Sequence, residues 1–329
     1  MSKTIRGWLL DLYEDAVDGV RLWVISDEGE RICLHQPMPI TFFAAGEADQ
    51  LRALWKMLRR QRGVISLSRE LRRDVFLPEP IPVLQTVIDN PIRQSGLFHK
   101  VQRQFPHLTY YDSDIAVTTR HSARFGTFPM AFCAFEVDDA LGIQSLQVHN
   151  SRWDLTPLLP VFRVLTIEPD CDPARGTPKI LRLRFQRRQK SLSLDRPEEL
   201  IQYLNCVLAE FDPDIVLTQW GDNWVLPTLL KLSAESGQEL ILNRDQQREV
   251  RWQKALTYFS YGQIIYRAEE AHLFGRCHID QRNAMMWRDY GLDGVLESAR
   301  VTAQSIERAA RVSPGSGISA MQMLTALEH

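Results

Sequence analysis

The chain has 329 residues, 44% hydrophobic and 24% charged; that is ordinary globular composition with room for two or three packed domains, and it excludes a small cross-linked scaffold. Its 39 Lys and Arg against 41 Asp and Glu leave a formal net charge of −2, so no chain-wide cationic field marks a nucleic-acid binder and any such contact must rest on local patches. Cys33, Cys133, Cys171, Cys206 and Cys277 form no CxxC pair and no apolar run is long enough for a signal peptide or membrane span, so a soluble protein in a reducing, cytoplasmic setting is expected.

In chain order, GWLLDLY, VRLWVIS and RICLHQ alternate as strands around the turns EDAVDG and DEGE, which predicts an antiparallel meander. From Ala45 to Arg62, Leu51, Leu54, Trp55 and Leu58 fall at helical spacing, with Gly63 as the expected C-cap and a strand after it. Residues 52–73 hold Arg52, Lys56, Arg59, Arg60, Arg62, Arg69, Arg72 and Arg73 against the single acid Glu70. This stretch reads first as a solvated helix face and second as a phosphate-contacting surface. LPEPIPVLQ breaks any helix with its prolines. IRQSGLFHKVQRQF is an amphipathic helix, and residues 110–139 read as short strands with turns.

HNSRWDLTPLLP, at 149–160, is rich in turn formers and is the expected boundary. Beyond it VFRVLTIEP, KILRLRFQ and DIVLTQW are strands, and SLSLDRPEELIQYLNCVLAEF is a helix with Asp195 as N-cap. TLLKLSAES is a second helix. YFSYGQIIYR and GRCHID are expected as sheet-edge strands, residues 291–312 as helix and SPGSGIS as a loop. Strands interleaved with helices imply an α/β sheet. Leu327-Glu328-His329 resembles the start of a vector-encoded tail and is set aside from the fold reasoning.

Carboxylates end or follow the strands at Glu168, in QWGDNW, at Asp280 in HID, and further on at Asp293. Acids at strand ends of an α/β sheet are candidate metal ligands, though DPDIV-type acids also serve as helix ends and turns. FDPDIVLTQWGDNWVLPTLL is similar to the exonuclease II region of family-B DNA polymerases, DPD-hydrophobic-N-x-x-x-F-D-x-x-x-L. LTIEP sits where that family has its Asp-Ile-Glu exonuclease I motif, GRCHID matches the following strand, and RAARVSPGSGISAMQM looks like the lead-in to the palm. The chain therefore resembles the N-terminal and 3′–5′ exonuclease-like region of family-B DNA polymerases, of the kind with degenerate exonuclease motifs, cut before the palm.

That resemblance implies an α/β, overall α+β, fold: an RNase H-like exonuclease domain with a mixed sheet, preceded by a β-rich mixed N-terminal domain. The implied divisions are 1–157, 158–310, a lead-in to the palm at 311–326 and the tail remnant 327–329. It also implies an acidic cluster around two Mg²⁺ or Mn²⁺ ions ~4 Å apart that activate a water. Position by position the cluster is depleted. Glu168 keeps the family's Glu, but Thr166 stands for an Asp, Trp220 for the Asn and Val225 for the second motif's Asp. The family's Tyr-x-x-x-Asp is best matched by residues 289–293, which keep Asp293 and displace the tyrosine to Tyr290.

Glu168 and Asp293 are thus the remnant catalytic and metal-binding positions. Asp170, Asp222 and Asp280 are the nearby acids that could be offered as substitutes, but a shift of two positions along a strand moves a ligand ~7 Å, too far to replace another without a rebuilt site, and Asp222 is read preferentially as part of a turn before a helix. The expectation is an inactive exonuclease site in a DNA-holding and architectural module of a DNA-directed DNA polymerase used in replication or repair. The alternatives are an active metal-dependent proofreading exonuclease and a purely structural brace for the palm. Mg or Mn is expected for the whole polymerase, with none held tightly here. DNA and the palm, fingers and thumb of the same chain are the expected partners of a monomer, with no membrane. Arg182, Arg184, Arg187, Arg188 and Lys190 beside Phe185 are the DNA-contact candidates. Trp220 and Trp224 either fill the lost site or stack on a base, and His278 is expected to be a hydrogen-bonded strand residue.

Overall fold

The computed structural model describes residues 3–74, 76–260, 263–267 and 269–328. The meander forms as expected from β1 (Lys3–Glu14), β2 (Val20–Ser26) and β3 (Arg31–Gln36). After it come β4 (Ile40–Ala45), α1 (Ala48–Leu58), β5 (Val64–Arg72), β6 (Ile81–Ile88), α2 (Pro91–Gln104), β7 (Thr109–Tyr111), α3 (Val117–Phe125), β8 (Phe132–Val137) and β9 (Ile143–Val148). One antiparallel sheet runs β3-β2-β1-β8-β9 and a second runs β5-β6-β4-β7. Phe42, Ala44, Leu84 and Ile88 of the second sheet bury against Leu54 and Leu58 of α1 and Val101 of α2.

The remaining elements are β10 (Val164–Pro169), β11 (Ile180–Phe185), β12 (Arg188–Ser193), α4 (Pro197–Glu210), β13 (Ile215–Thr218), α5 (Leu226–Ser236), β14 (Arg251–Gln253), β15 (Leu256–Ser260), β16 (Gln263–Arg267), β17 (Glu270–His272), β18 (Cys277–Asp280), α6 (Trp287–Thr302), α7 (Ile306–Arg311) and α8 (Pro314–Glu328). Their principal sheet runs β12-β11-β10-β13-β18. β10, β13 and β18 are parallel while β11 is antiparallel to both its neighbours, which is the mixed sheet expected of an RNase H-like fold. One face packs Leu165, Ile167, Leu181 and Leu183 against α4 and α5. Opposite, Ile215 and Ile279 share a core with Val295 and Ala299 of α6, with Leu10 and Ile25 of the first sheet and with Met130 just before β8. Polar ties cross the same junction: Arg31 grips both oxygens of Asp214 at 3.0 and 2.6 Å, the Gly275 amide donates to Asp11 at 2.9 Å and the Tyr13 hydroxyl to Asp245 at 2.8 Å.

Several local expectations fail for identifiable reasons. Residues 117–125 are helix α3, because Val117, His121 and Ser122 supply an i, i+4, i+5 buried face that the many polar residues mask, and Gly126 ends it in the left-handed region. SPGSGIS starts helix α8: the Ser313 hydroxyl accepts from the Ser316 amide and Pro314 occupies the first turn, a start signal that outweighs two glycines. α1 ends at Leu58, so Gly63, with φ +91°, opens β5 instead of capping the helix, and the basic stretch is divided between helix and strand. Asp195 is not the N-cap of α4; Arg196 holds that position without a side-chain bond, and Pro197 follows. YFSYGQIIYR gives β15 and β16, an antiparallel pair apart from the main sheet, with 261–262 outside the described residues, as is His329. No helix among the described residues is long and apolar enough to cross a membrane.

Candidate functional site

Strand alternation puts Leu165 and Ile167 of β10 into the core and turns Thr166 and Glu168 to the opposite face. There the antiparallel register sets Arg184 of β11 across from Thr166 and Arg182 across from Glu168. The Arg184 guanidinium binds Glu168 Oε1 at 2.7 Å and the Gln219 amide donates to the same oxygen at 3.3 Å. The one acid retained on β10 is therefore already engaged by a protein cation.

After β13 the backbone turns sharply. Trp220 adopts φ +58° and a single π-helical turn, Gly221–Val225, leads into α5. Trp220 is half-buried with the Arg282 guanidinium 4.7 Å from its ring centre, and Trp224 packs on the α4–α5 core. Val225 is fully buried in that core beside Leu226 and Leu229, so this position is apolar in its surroundings as well as in its side chain.

Asp222 lies in the turn before α5, as the sequence reading has it. It is fully buried and accepts from the Ala271 amide at 2.9 Å, Asn283 Nδ2 at 2.7 Å and Arg311 Nη2 at 3.0 Å. Burial alone would raise its pKa, but His278, Arg311 and these donors hold the carboxyl below its ordinary range. Asp280 accepts from the backbone amides of Asp222 and Arg282, and burial pushes its pKa up. His278 is hydrogen-bonded as expected: Nε2 lies 2.9 Å from the Thr218 hydroxyl and Nδ1 lies 3.0 Å from Ala271 O and 3.5 Å from Asp222 Oδ1.

A hydroxyl, an imidazole and a carboxylate thus stand in the order of a nucleophile relay. Yet Thr218, His278 and Asp222 have no solvent exposure and border none of the larger cavities, so no substrate reaches them. Burial lowers the His278 pKa, against the pull of Asp222. The cluster holds the π-turn, β17, β18 and α7 together.

A second buried group lies beneath it. His272 Nδ1 is 2.9 Å from Glu307, and Nε2 is 3.3 Å from Glu270. Burial works against a charged imidazole, but the two carboxylates outweigh it and lift the pKa to about 9. Asp11, raised to about 7 by burial and by Glu307, faces the same region. Both folded-state values exceed the ordinary ones, so folding takes up protons through both groups. The Asp11 contribution fades as pH rises from about 4 to 7 and the His272 contribution from about 6.5 to 9. Stability from urea melts should fall across these windows, and the alkaline part of the fall should vanish in His272→Gln.

Tyr290 and Asp293 are exposed at the start of α6, where Gly291 interrupts the helix with φ +57° and ψ −148°. Among the described residues neither side chain forms a hydrogen bond or ion pair with Glu168, and no group of three or more His, Cys, Asp or Glu is placed to hold a metal ion. Arg182, Arg184, Arg187, Arg188 and Lys190 all lie exposed along the β11–β12 hairpin. Phe185 differs from its expected role: it is buried against Phe211, with ring centres 5.4 Å apart, and offers no face to a base. Arg311, Asn283, His272 and Glu307 went unnoticed in the sequence. Their only signal is indirect, namely that EAH and CHID carry polar residues where wholly buried strands would otherwise be apolar.

No family model matches the sequence. Curated DNA polymerases are similar over about half of it. The DNA polymerase of Pyrococcus horikoshii is 26% identical over 171 residues, 52% of this chain and 13% of its own. DNA polymerase 1 of Pyrococcus abyssi is also 26% identical over 171 residues, 21% of its length, and the Thermococcus litoralis DNA polymerase is 24% identical over 176 residues, 10% of its length. The solved family B DNA polymerase of Pyrobaculum calidifontis superposes with a TM-score of 0.70 at 18% identity, covering 98% of this chain and 50% of that one. The fold is that of the N-terminal and exonuclease region of a family-B polymerase, and the chain spans only about a tenth to a fifth of these relatives' length and half of the solved structure.

Proposed function

We propose that this chain is the N-terminal and exonuclease-like part of a monomeric, cytoplasmic DNA-directed DNA polymerase of replication or repair, in which the exonuclease site no longer binds catalytic metals. Residues 1–157 form the N-terminal domain, 158–310 the exonuclease-like domain and 311–326 the lead into the palm. The part holds primer and template and supports the palm, fingers and thumb. Any Mg²⁺ or Mn²⁺ used in polymerisation binds in that remainder.

The observation that carries this reading is the pairing of Glu168 with Arg184 on a strand whose neighbouring second-motif position, Val225, is fully buried among leucines. Two divalent ions ~4 Å apart repel strongly and need several carboxylates to hold them. Here one carboxylate faces the position and a guanidinium stands beside it. Incubated with a 5′-labelled single strand and Mg²⁺ or Mn²⁺, the protein should leave the 3′ end intact. Shortening that Glu168→Ala abolishes would establish the active exonuclease instead.

DNA holding rests on the exposed cations of the β11–β12 hairpin. Affinity for a primer–template should fall steeply with salt, because each neutralised phosphate releases counterions. The double substitution Arg187→Glu, Arg188→Glu should reduce the log–log salt slope by about two. Binding that ignores both salt and this substitution would leave the purely architectural role.

A further inference from the structure

β5 is an open edge. In the sheet β5-β6-β4-β7 it pairs with β6 alone, over a register from Val64 to Arg72 broken by a bulge between Val64 and Ser66. In an antiparallel ladder alternate residues of an edge strand point their N–H and C=O groups outward, and among the described residues no second strand lies beside β5. Such an edge of nine residues is a template for another strand.

Its side chains define which strand. Leu67, Arg69 and Leu71 alternate along the face that carries α1 and α2, and Ser66, Ser68, Glu70 and Arg72 along the other. Ile65 and Leu71 are 57% and 71% exposed, and Arg69 and Arg73 are exposed as well. Arg59, Arg60 and Arg62, just past the end of α1, add cations at the entrance to the strand. Arg72 is exposed as well but is engaged, by Glu70 at 2.6 Å and over the Phe43 ring.

We propose that β5 is a docking edge for an extended acidic peptide that adds as a fifth strand, with carboxylates facing Arg69 and the flanking arginines and apolar side chains against Ile65 and Leu71. The same cations repel a second copy of β5, since two such edges would set arginine against arginine. They protect the edge from self-pairing while selecting for an acidic strand. A peptide fits better than nucleic acid here because the outward ladder of amides and carbonyls and the apolar Ile65 and Leu71 have no counterpart on a phosphate backbone.

The test uses the full chain and a fluorescein-labelled nine-residue peptide designed to carry, on one face of its strand, glutamate opposite Arg69 and valine opposite Leu71 and Ile65, read by anisotropy. Binding should weaken with salt. It should weaken at least tenfold in Arg69→Glu, whose exposed side chain leaves the melting curve unchanged, and at least tenfold when alternate peptide amides are N-methylated on the pairing edge. No binding, or equal binding by the N-methylated peptide, overturns the proposal. A polythymidine probe that binds more tightly and loses the same factor in Arg69→Glu would also overturn it, making the edge a nucleic-acid surface. None of these readouts depends on the state of the exonuclease-like site.

Discussion

Gly221→Ala should unfold much of the second half of the protein. A Cβ at this position would lie 1.8 Å from the Thr218 hydroxyl and 2.5 Å from His278 Nε2, inside the contact distance of either atom. Neither neighbour can retreat, because Thr218 and His278 are fully buried and bonded to each other. Relief therefore means breaking their hydrogen bond and shifting the turn. Overpacking of a tight core and a buried polar group left unpaired each cost about 1–3 kcal/mol, so together they cost roughly 2–6 kcal/mol. Gly96→Ala is the matched control: nothing lies within 4 Å of its Cβ position, in the middle of α2. It should be neutral or stabilising by about 0.4–1 kcal/mol. Equal denaturation midpoints for the two variants would show that the close approach at Gly221 is not a constraint.

Arg311→Met should cost roughly 3–5 kcal/mol, the loss usual when one partner of a buried ion pair is removed and the other charge remains. Asp222 is fully buried, Arg311 is 5% exposed, and they meet at 3.0 Å. Without the guanidinium, Asp222 keeps the Ala271 amide, Asn283 and the neighbouring His278. The pH dependence gives the sign. In the native protein the Asp222 pKa is held below its unfolded value, so its contribution is complete above about pH 4 and fades as pH falls through the lower folded value. In Arg311→Met the carboxyl has lost its cation and its pKa rises, so the deficit relative to the native protein should be largest near neutrality and shrink towards pH 4. Asp222→Asn combined with Arg311→Met should recover part of the loss. A constant deficit at every pH would mean that Arg311 acts through packing alone.

What the sequence revealed and what it concealed divide along physical lines. Period-two alternation exposed β1, β2 and β3, and the short apolar runs around Leu165, Leu181 and Val216 exposed the sheet that carries the candidate site. Helices with mixed faces were harder. The buried side of α3 is Val117, His121 and Ser122, only one of which is apolar, so hydrophobic spacing could not find it. At the site, the motif resemblance located Thr166 and Glu168, but Arg184 is sixteen residues from Glu168 and meets it only through hairpin register. Arg311 is 89 residues from Asp222, and nothing local to either announces the pair. Gly-Asp-Asn was legible as the turn before α5, but not the burial of Asp222, which comes from contacts with α7 and β17 that sequence spacing does not place there.

The first strand closes its contacts very late. Asp11 receives the amide of Gly275, 264 residues further on, Tyr13 reaches Asp245, and Leu10 shares a core with Ile215 and Ile279. During synthesis at about 5–20 residues per second, the outer face of β1 therefore waits roughly 13–50 s for its partners to leave the ribosome. The neighbouring meander can form at once, since β1 to β3 need only each other. For that interval the nascent chain displays a finished sheet whose far side, with Leu10 and Ile25, is still bare. A ribosome stalled before residue 275 would hold this apolar surface open to chaperones and to neighbouring nascent chains.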